Sequence, residues 1–230
     1  SDVFPIRRAK SFDLDGGIPE IAMRYPELRY MGSKKRLLPW IHGVLQTLDF
    51  ESAMDPFSGT GCVGYLMKSM GKRVLASDFL SFSSLIARAT IENNDRRVDE
   101  GTIRRLLDDG NDHATFIRDT FDGIFFTFDD LSFLDKVSAN IRKISDRYEQ
   151  AIAFSALFRS CLKKQPRGVF TVSGDLSRYD DGRRDLRLSL EEHFLEQIAI
   201  FNAAVFDNGR KNRAGQSDVF DLPRRKVDLV

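Results

Sequence analysis

The run Met54-Asp-Pro-Phe-Ser-Gly-Thr-Gly-Cys-Val-Gly64 sets three glycines, Gly59, Gly61 and Gly64, in the order G-x-G-x-x-G. Glycine at this spacing lets a turn of backbone approach a bound molecule closely and seats the following helix tightly on its strand. About 20 residues further on, Arg73-Val-Leu-Ala-Ser-Asp78 reads as a buried strand that ends in an acid, where a carboxylate would hold a pair of ribose hydroxyls. Together the two features imply a cofactor that contains adenosine. Asp55 bears on which one. A dinucleotide rests its pyrophosphate on the helix N-terminus, where a neighbouring carboxylate would repel it; S-adenosylmethionine instead carries an ammonium and a sulfonium. The carboxylate at the strand end therefore favours S-adenosylmethionine.

Such residues need a strand, turn, helix and strand to hold them, and the composition allows it. At 230 residues, 42% hydrophobic and formally +1, the chain suits one globular domain or a domain carrying an insertion. No apolar run is long enough to span a bilayer, and the N-terminus lacks a basic-then-apolar leader pattern, so the expectation is a soluble, cytoplasmic chain with no membrane partner. Cys62 and Cys161 have neither metal-ligand spacing nor a disulfide framework and read as free thiols, Cys161 in the core. Acids dominate from Asp99 to Asp135 and bases from Arg142 to Arg187, an asymmetry that can mark a phosphate-facing surface.

Residues 1–26, with three prolines and Asp15-Gly16-Gly17, read as a surface arm. After Arg29-Tyr-Met-Gly-Ser-Lys-Lys-Arg36, the apolar positions Leu37, Leu38, Ile41, Val44, Leu45 and Leu48 predict an amphipathic helix that Ser33 can cap, with Pro39 tolerated in its first turns. A Gly-Ser-Lys turn there suits a small anion, although an ordinary capped helix with solvated lysines also explains it. A helix is predicted from Leu80 to Asn93, and short helical periods broken by Gly110, read as solvated surface, from Gly101 to Gly123. Two helices are predicted between Leu131 and Lys164, the second stopped by Pro166. Gly168 to Gly174 alternates like a strand. Asp175 to Arg187 forms an arginine-rich loop suited to phosphate and base edges, unless its aspartates pair with its arginines. Ser189-Leu-Glu-Glu192 is a capping box opening a helix to about Phe206, with Leu190, Phe194, Ile198, Phe201 and Val205 as its core stripe. His42 and His193 lack a partner at metal spacing, so no metal is implied. Val227 to Val230 reads as the start of a buried strand.

Four separated segments, in order, carry a resemblance: Tyr30-x-Gly32-x-Lys34-x-x-Leu37, Asp55-Pro-Phe-Ser-Gly-Thr-Gly61, Asp78, and Ser217-Asp218-Val-Phe220 before an apolar strand. The chain resembles the Dam-like (alpha-group) DNA adenine-N6 methyltransferases. The resemblance implies an α/β fold with a Rossmann-like, S-adenosylmethionine-dependent methyltransferase sheet and a mostly helical target-recognition insertion. The divisions expected are an arm (1–26), a cofactor-binding part (27–98), the insertion (99–212) and a return to the core (213–230). Tyr30, Met31, Gly32 and Lys34, with Asp55, Pro56, Phe57, Ser58, Gly59, Thr60 and Gly61, would hold the methionine end of the cofactor. Asp78 and Phe79 would take the ribose side, and Asp218, Val219 and Phe220 the adenine ring. Because the target-recognition region of this family lies between the cofactor acid and the catalytic strand, Lys163, Lys164, Arg167, Arg178, Tyr179, Arg183, Arg184 and Arg187 are assigned to double-stranded DNA.

The activity implied is site-specific transfer of a methyl group from S-adenosylmethionine to adenine N6, with the base flipped from the duplex, as in restriction-modification systems. The family's Asp-Pro-Pro-Tyr catalytic motif does not occur in this sequence. It is expected beyond Val230 or on a second polypeptide; the alternative is a non-catalytic DNA-binding or specificity subunit. A nicotinamide-dependent oxidoreductase would account for the glycines but not for the segments at Tyr30 or Asp218.

Overall fold

The computed structural model describes residues 17–28, 34–110, 114–166, 170, 182–222 and 225–230. Its organising element is a small parallel sheet of β1 (Ser52–Asp55), β2 (Arg73–Asp78) and β3 (Arg213–Gln216), in that spatial order. Ala53 sits opposite Val74, and Ala76 opposite Ala214. On the other side of β1, Leu229 forms an isolated parallel bridge with Ala53 and accepts the Met54 N–H at 2.9 Å. The chain thus builds outward from β1 through β2 to β3 and then returns to the opposite flank of β1. In open α/β sheets, the crevice beyond the strand ends at such a reversal is where ligands bind.

Three helices follow from the sequence's apolar periods on this side. Lys35–Leu37 is a 3₁₀ turn leading into α1 (Leu38–Leu45), with Pro39 in the first turn, where a missing N–H costs nothing. Ser33, the expected cap, lies outside the described residues. α2 (Cys62–Ser69) begins on Gly61, whose φ of +84° is left-handed and suits glycine. Gly64 is closely packed for a different reason: a Cβ there would stand 2.7 Å from Ile91 Cδ1, so any larger residue would have to displace the end of that buried side chain. α3 (Ser81–Ala87) continues as a π-helical turn, Arg88–Glu92, and stops at Asn93.

The rest is helical: α4 (Glu100–Leu107), α5 (Phe116–Phe121), α6 (Phe128–Arg142), α7 (Arg147–Lys163), the single turn α8 (Arg184–Arg187) and α9 (Leu190–Ala204). Leu190, Phe194, Ile198, Phe201 and Val205 are all buried, against partners including Leu131, Ile141 and Ile152. Ser189 and Glu192 form the capping box. A second core, around Tyr65, Leu66, Val74 and Phe50, lies between the sheet and α1 to α2.

Glu92 ties the two bodies together. Its buried carboxylate accepts from Arg147 at 3.1 Å on α7, and from Arg213 at 3.3 Å and the Ala214 N–H at 3.1 Å on β3. On α2, the Lys68 ammonium lies wholly inside, donating to the Asn93 and Thr90 carbonyls at 2.7 and 3.1 Å over the Phe206 ring. Burial pulls its pKa down to about 7.

Several elements differ from the sequence reading. Glu20–Arg24 is a 3₁₀ turn, and Ala22 and Tyr25 behind it are core residues rather than part of a surface arm, because Tyr25 packs on Tyr65. Leu106 of α4 is buried, so the stretch from Gly101 is not all solvated surface. Val227–Val230 starts to pair with β1 at Leu229, as expected, but burial does not hold it, since Val230 is 80% exposed. The segment is held instead by Asp228, whose carboxylate accepts from the Ser52 N–H and hydroxyl and the Glu51 N–H. The alternating stretch at Gly168 to Gly174 lies outside the described residues except Phe170. Both cysteines are free and buried.

Candidate functional site

Beyond the carboxyl end of β1, at the reversal in strand order, lies a cavity of 370 Å³. α1 supplies one apolar wall with Ile41 and Leu45, α2 another with Val63 and Met67, and Leu229 closes the far side. Lys34, Asp55, Pro56, Phe57, Ser58, Gly59 and Thr60 all line it. Tyr30, Met31 and Gly32 lie outside the described residues.

Backbone hydrogen bonds hold the glycine loop over this cavity. Ser58 N–H donates to the Ser77 carbonyl at 2.9 Å, Gly61 N–H to the Ser58 carbonyl at 2.7 Å, and Gly59 N–H to the Asp78 carboxylate at 2.7 Å. The other Asp78 oxygen accepts the Leu80 N–H at 2.9 Å. Asp78 thus links the turns that follow β1 and β2. It does not line the cavity, and neither do Phe79 and the segment after β3, which are tied to the β2 end. Ser217 N–H donates to the Asp78 carbonyl at 3.0 Å, and Gln216 Nε2 to the Phe79 carbonyl at 3.0 Å. Asp218 opens the 3₁₀ turn Val219–Asp221 by accepting the Phe220 N–H at 3.0 Å. The carboxyl ends of three adjacent strands therefore each present an exposed phenylalanine: Phe57 (67%), Phe79 (69%) and Phe220 (93%).

Two polar groups inside the cavity are short of partners. Ser58 is buried, and its hydroxyl has no hydrogen-bond partner among the described residues. The half-buried Asp55 carboxylate receives one long contact, from Phe57 N–H at 3.4 Å. Burial pushes its carboxyl above the ordinary value, against the pull of that N–H and of the Lys34 charge. An under-satisfied carboxylate and hydroxyl in a mainly apolar cavity suit a small ligand with an apolar body and a cationic end.

A family model described as D12 class N6 adenine-specific DNA methyltransferase matches residues 30–230. The chain belongs to that family. It is 30% identical over 210 residues to the type II methyltransferase M2.HphI of Haemophilus parahaemolyticus, covering 86% of this chain and 62% of that protein. Over 70 residues, 29% of this chain and 11% of the relative, it is 43% identical to the type II methyltransferase M.FokI of Planomicrobium okeanokoites. Over 80 residues, 34% of this chain and 13% of the relative, it is 32% identical to the modification methylase LlaI of Lactococcus lactis subsp. lactis. The chain thus spans at most 62% of the length of these relatives. No solved structure matches it.

The basic residues expected to face DNA gather where α7, α8 and α9 meet. Lys163 pairs with Asp185 at 2.8 Å; Lys164 donates to the Leu188 carbonyl at 2.6 Å and is mostly covered. Arg183 donates to the Pro166 carbonyl, and Arg184 pairs with Glu196 while keeping 63% of its side chain exposed. Arg187 is exposed. Arg167, Arg178 and Tyr179 lie outside the described residues. The lysines therefore help to fasten α8 onto its neighbours, and Arg184 and Arg187 face outward.

Sequence reading missed three contributors. β3, Arg-Ala-Gly-Gln, is too short and polar to show a strand period, and only its pairing with β2 reveals it. Ile41 and Leu45 read as ordinary core positions because a cavity wall and a core face have the same periodicity. Tyr25 lay in a stretch punctuated by prolines. His42 and His193 are buried, His193 with Nε2 2.7 Å from the Asp185 carbonyl. Among the described residues no cluster of His, Cys, Asp and Glu is placed to hold a metal ion, and no helix is long and apolar enough to cross a membrane.

Proposed function

We propose that this chain carries the S-adenosylmethionine site of a Rossmann-like adenine-N6 DNA methyltransferase that acts on adenine flipped from double-stranded DNA. The observation that carries the reading is the cavity at the β1 end, which holds an under-satisfied Asp55 and Ser58 and has the exposed Phe57 in its lining. Family membership supports the target class; the chemistry of the cavity supports the donor.

The residues present fit that molecule. Asp55 faces the cavity with the charge an ammonium requires, and Lys34, also in its lining, has the charge for a carboxylate. Ser58 offers a hydroxyl without a competing partner. Asp78 already accepts two backbone N–H groups, but a carboxylate has about four acceptor sites, which leaves room for ribose hydroxyls. Phe79 and Phe220 offer apolar faces for a purine at neighbouring strand ends, with Asp218 between them in the chain. S-adenosylmethionine would supply an already activated methyl group, so the task of these side chains is to bind and orient. Arg184 and Arg187, outward on the basic edge, are suited to backbone phosphates.

Calorimetric titration of the chain with S-adenosylmethionine, with NAD as control, tests the reading. Binding of S-adenosylmethionine alone is expected. Binding of NAD in preference would return the glycine loop to a pyrophosphate, and binding of neither would remove the cavity from cofactor recognition.

A further inference from the structure

The geometry points to Tyr25 as a positioning residue of the glycine loop, an inference that rests on the cofactor reading of that loop. Tyr25 is 6% exposed, and its ring packs against Tyr65 with centroids 5.2 Å apart. Its hydroxyl donates to the Thr60 carbonyl. Burial holds the phenol far above its ordinary pKa, so it remains a donor throughout the working range.

The bond matters because of the peptide it holds. The Thr60 carbonyl and the Gly61 N–H belong to one planar unit. Tyr25 takes the carbonyl; the Ser58 carbonyl takes the N–H at 2.7 Å. Both polar ends of that peptide are therefore pinned. Gly61, at φ +84°, accepts either sign of φ, so without a restraint the unit could rotate and re-aim the loop at the start of α2. A glycine-rich loop gains reach toward its ligand by giving up stiffness. The segment around Tyr25 restores it from a part of the chain that does not touch the cavity. The same hydroxyl stands 3.8 Å from where a Cβ on Gly61 would be.

Tyr65 provides a matched control. It too is a buried tyrosine, and its hydroxyl donates to the Ala204 carbonyl at 2.6 Å, away from the loop. Tyr25→Phe and Tyr65→Phe each remove one buried hydroxyl and keep the ring. Both should lower Tm by a similar few degrees. Tyr25→Phe alone should weaken S-adenosylmethionine binding roughly five- to tenfold, the usual effect of losing one such bond. It alone should also accelerate amide hydrogen exchange at Gly61 and Cys62 in the free protein. Equal loss of affinity in both variants would reduce Tyr25 to a stabilising residue, and unchanged exchange at Gly61 and Cys62 would overturn its role in the loop. The exchange measurement needs no ligand. A parent protein that ignores S-adenosylmethionine would therefore defeat the cofactor reading while the exchange result still decides on Tyr25.

Discussion

The helices beside the sheet and, the single turn α8 aside, those from α4 onward begin differently. α4, α6, α7 and α9 each start on a side chain that accepts from the first turn: Asp99, Thr127, Asp146 and Ser189. Even the short α5 has its Ile117 and Arg118 N–H groups bound by the Asp135 carboxylate, at 2.8 and 2.9 Å. By contrast α1, α2 and α3 have no side-chain cap. A helix start leaves several N–H groups without intrahelical partners, and a cap normally stabilises it by about 1 kcal/mol. The sheet-side helices forgo that where the chain turns back over the strand ends, and the aromatics there are exposed rather than buried. Side-chain caps fasten most of the later helices, whereas the sheet side leaves its helix starts uncapped and holds the partner-short Asp55 and Ser58 in its cavity.

Phenylalanines test the contrast most strongly. Phe201 on α9 is fully buried, so Phe201→Ala should cost about 3–5 kcal/mol of stability. At temperatures where the variant is folded, its affinity for S-adenosylmethionine should be unchanged. Phe220, 93% exposed, should behave in the opposite way. Phe220→Ala should leave stability within about 0.5 kcal/mol and cost about 1–3 kcal/mol in affinity, the range for an aromatic stacked on a base. Urea denaturation and calorimetric titration of both variants measure the two quantities. If Phe220→Ala changed stability and left affinity alone, the end of β3 would be scaffold after all.

Caps provide the middle-sized test. Ser189→Ala removes a reciprocal capping box, in which Glu192 N–H donates to Ser189 Oγ at 3.1 Å and Ser189 N–H to the Glu192 carboxylate at 2.7 Å. It should cost about 1 kcal/mol of stability. Cofactor affinity should not change, because α9 contributes no residue to the cavity lining. A loss of affinity exceeding the loss of stability would mean that the two halves are coupled through Glu92 more tightly than packing requires.

This division was only partly legible in the sequence. The capping box at Ser189, the periods of α6, α7 and α9, and the strand, glycine turn and helix from Met54 are local signals, written within a few residues of one another. The glycine spacing also anticipated Gly64, although its reason proved to be Ile91, a contact between segments far apart in the chain. What stayed hidden depends on such distant contacts. β3 exists because Ala214 finds Ala76; Leu229 belongs to the sheet through one bridge; Glu92 is an anchor only once α7 and β3 meet beside it. The basic run near Lys163 was legible as charge. Which charges serve the fold, as Lys164 does, and which face outward, as Arg184 does, follows from where Leu188 and Glu196 fall.

The smallest expected effect on stability also separates site from scaffold most sharply. Burial raises the Asp55 pKa in the folded protein above its value in the unfolded chain. Between those two values the folded state holds the proton and the unfolded state has released it. Stability therefore falls as pH rises through this window, and at neutral pH the ionised Asp55 is a net cost to the free protein. Asp55→Asn should remove that slope and make the free protein slightly more stable at pH 7, as followed by thermal denaturation. Its S-adenosylmethionine affinity should fall nonetheless, because an amide cannot attract an ammonium as a carboxylate does. In the parent, affinity should decline as pH is lowered through the same window, because protonation removes the charge that the ligand needs. The chain's single tryptophan, Trp40, lies on α1 next to Ile41 of the cavity wall and offers a fluorescence readout for the titration. A variant that lost stability together with affinity would place Asp55 among the scaffold carboxylates such as Asp135. A gain in stability with a loss in affinity would mean that the free protein keeps a charge at this strand end for the ligand's sake.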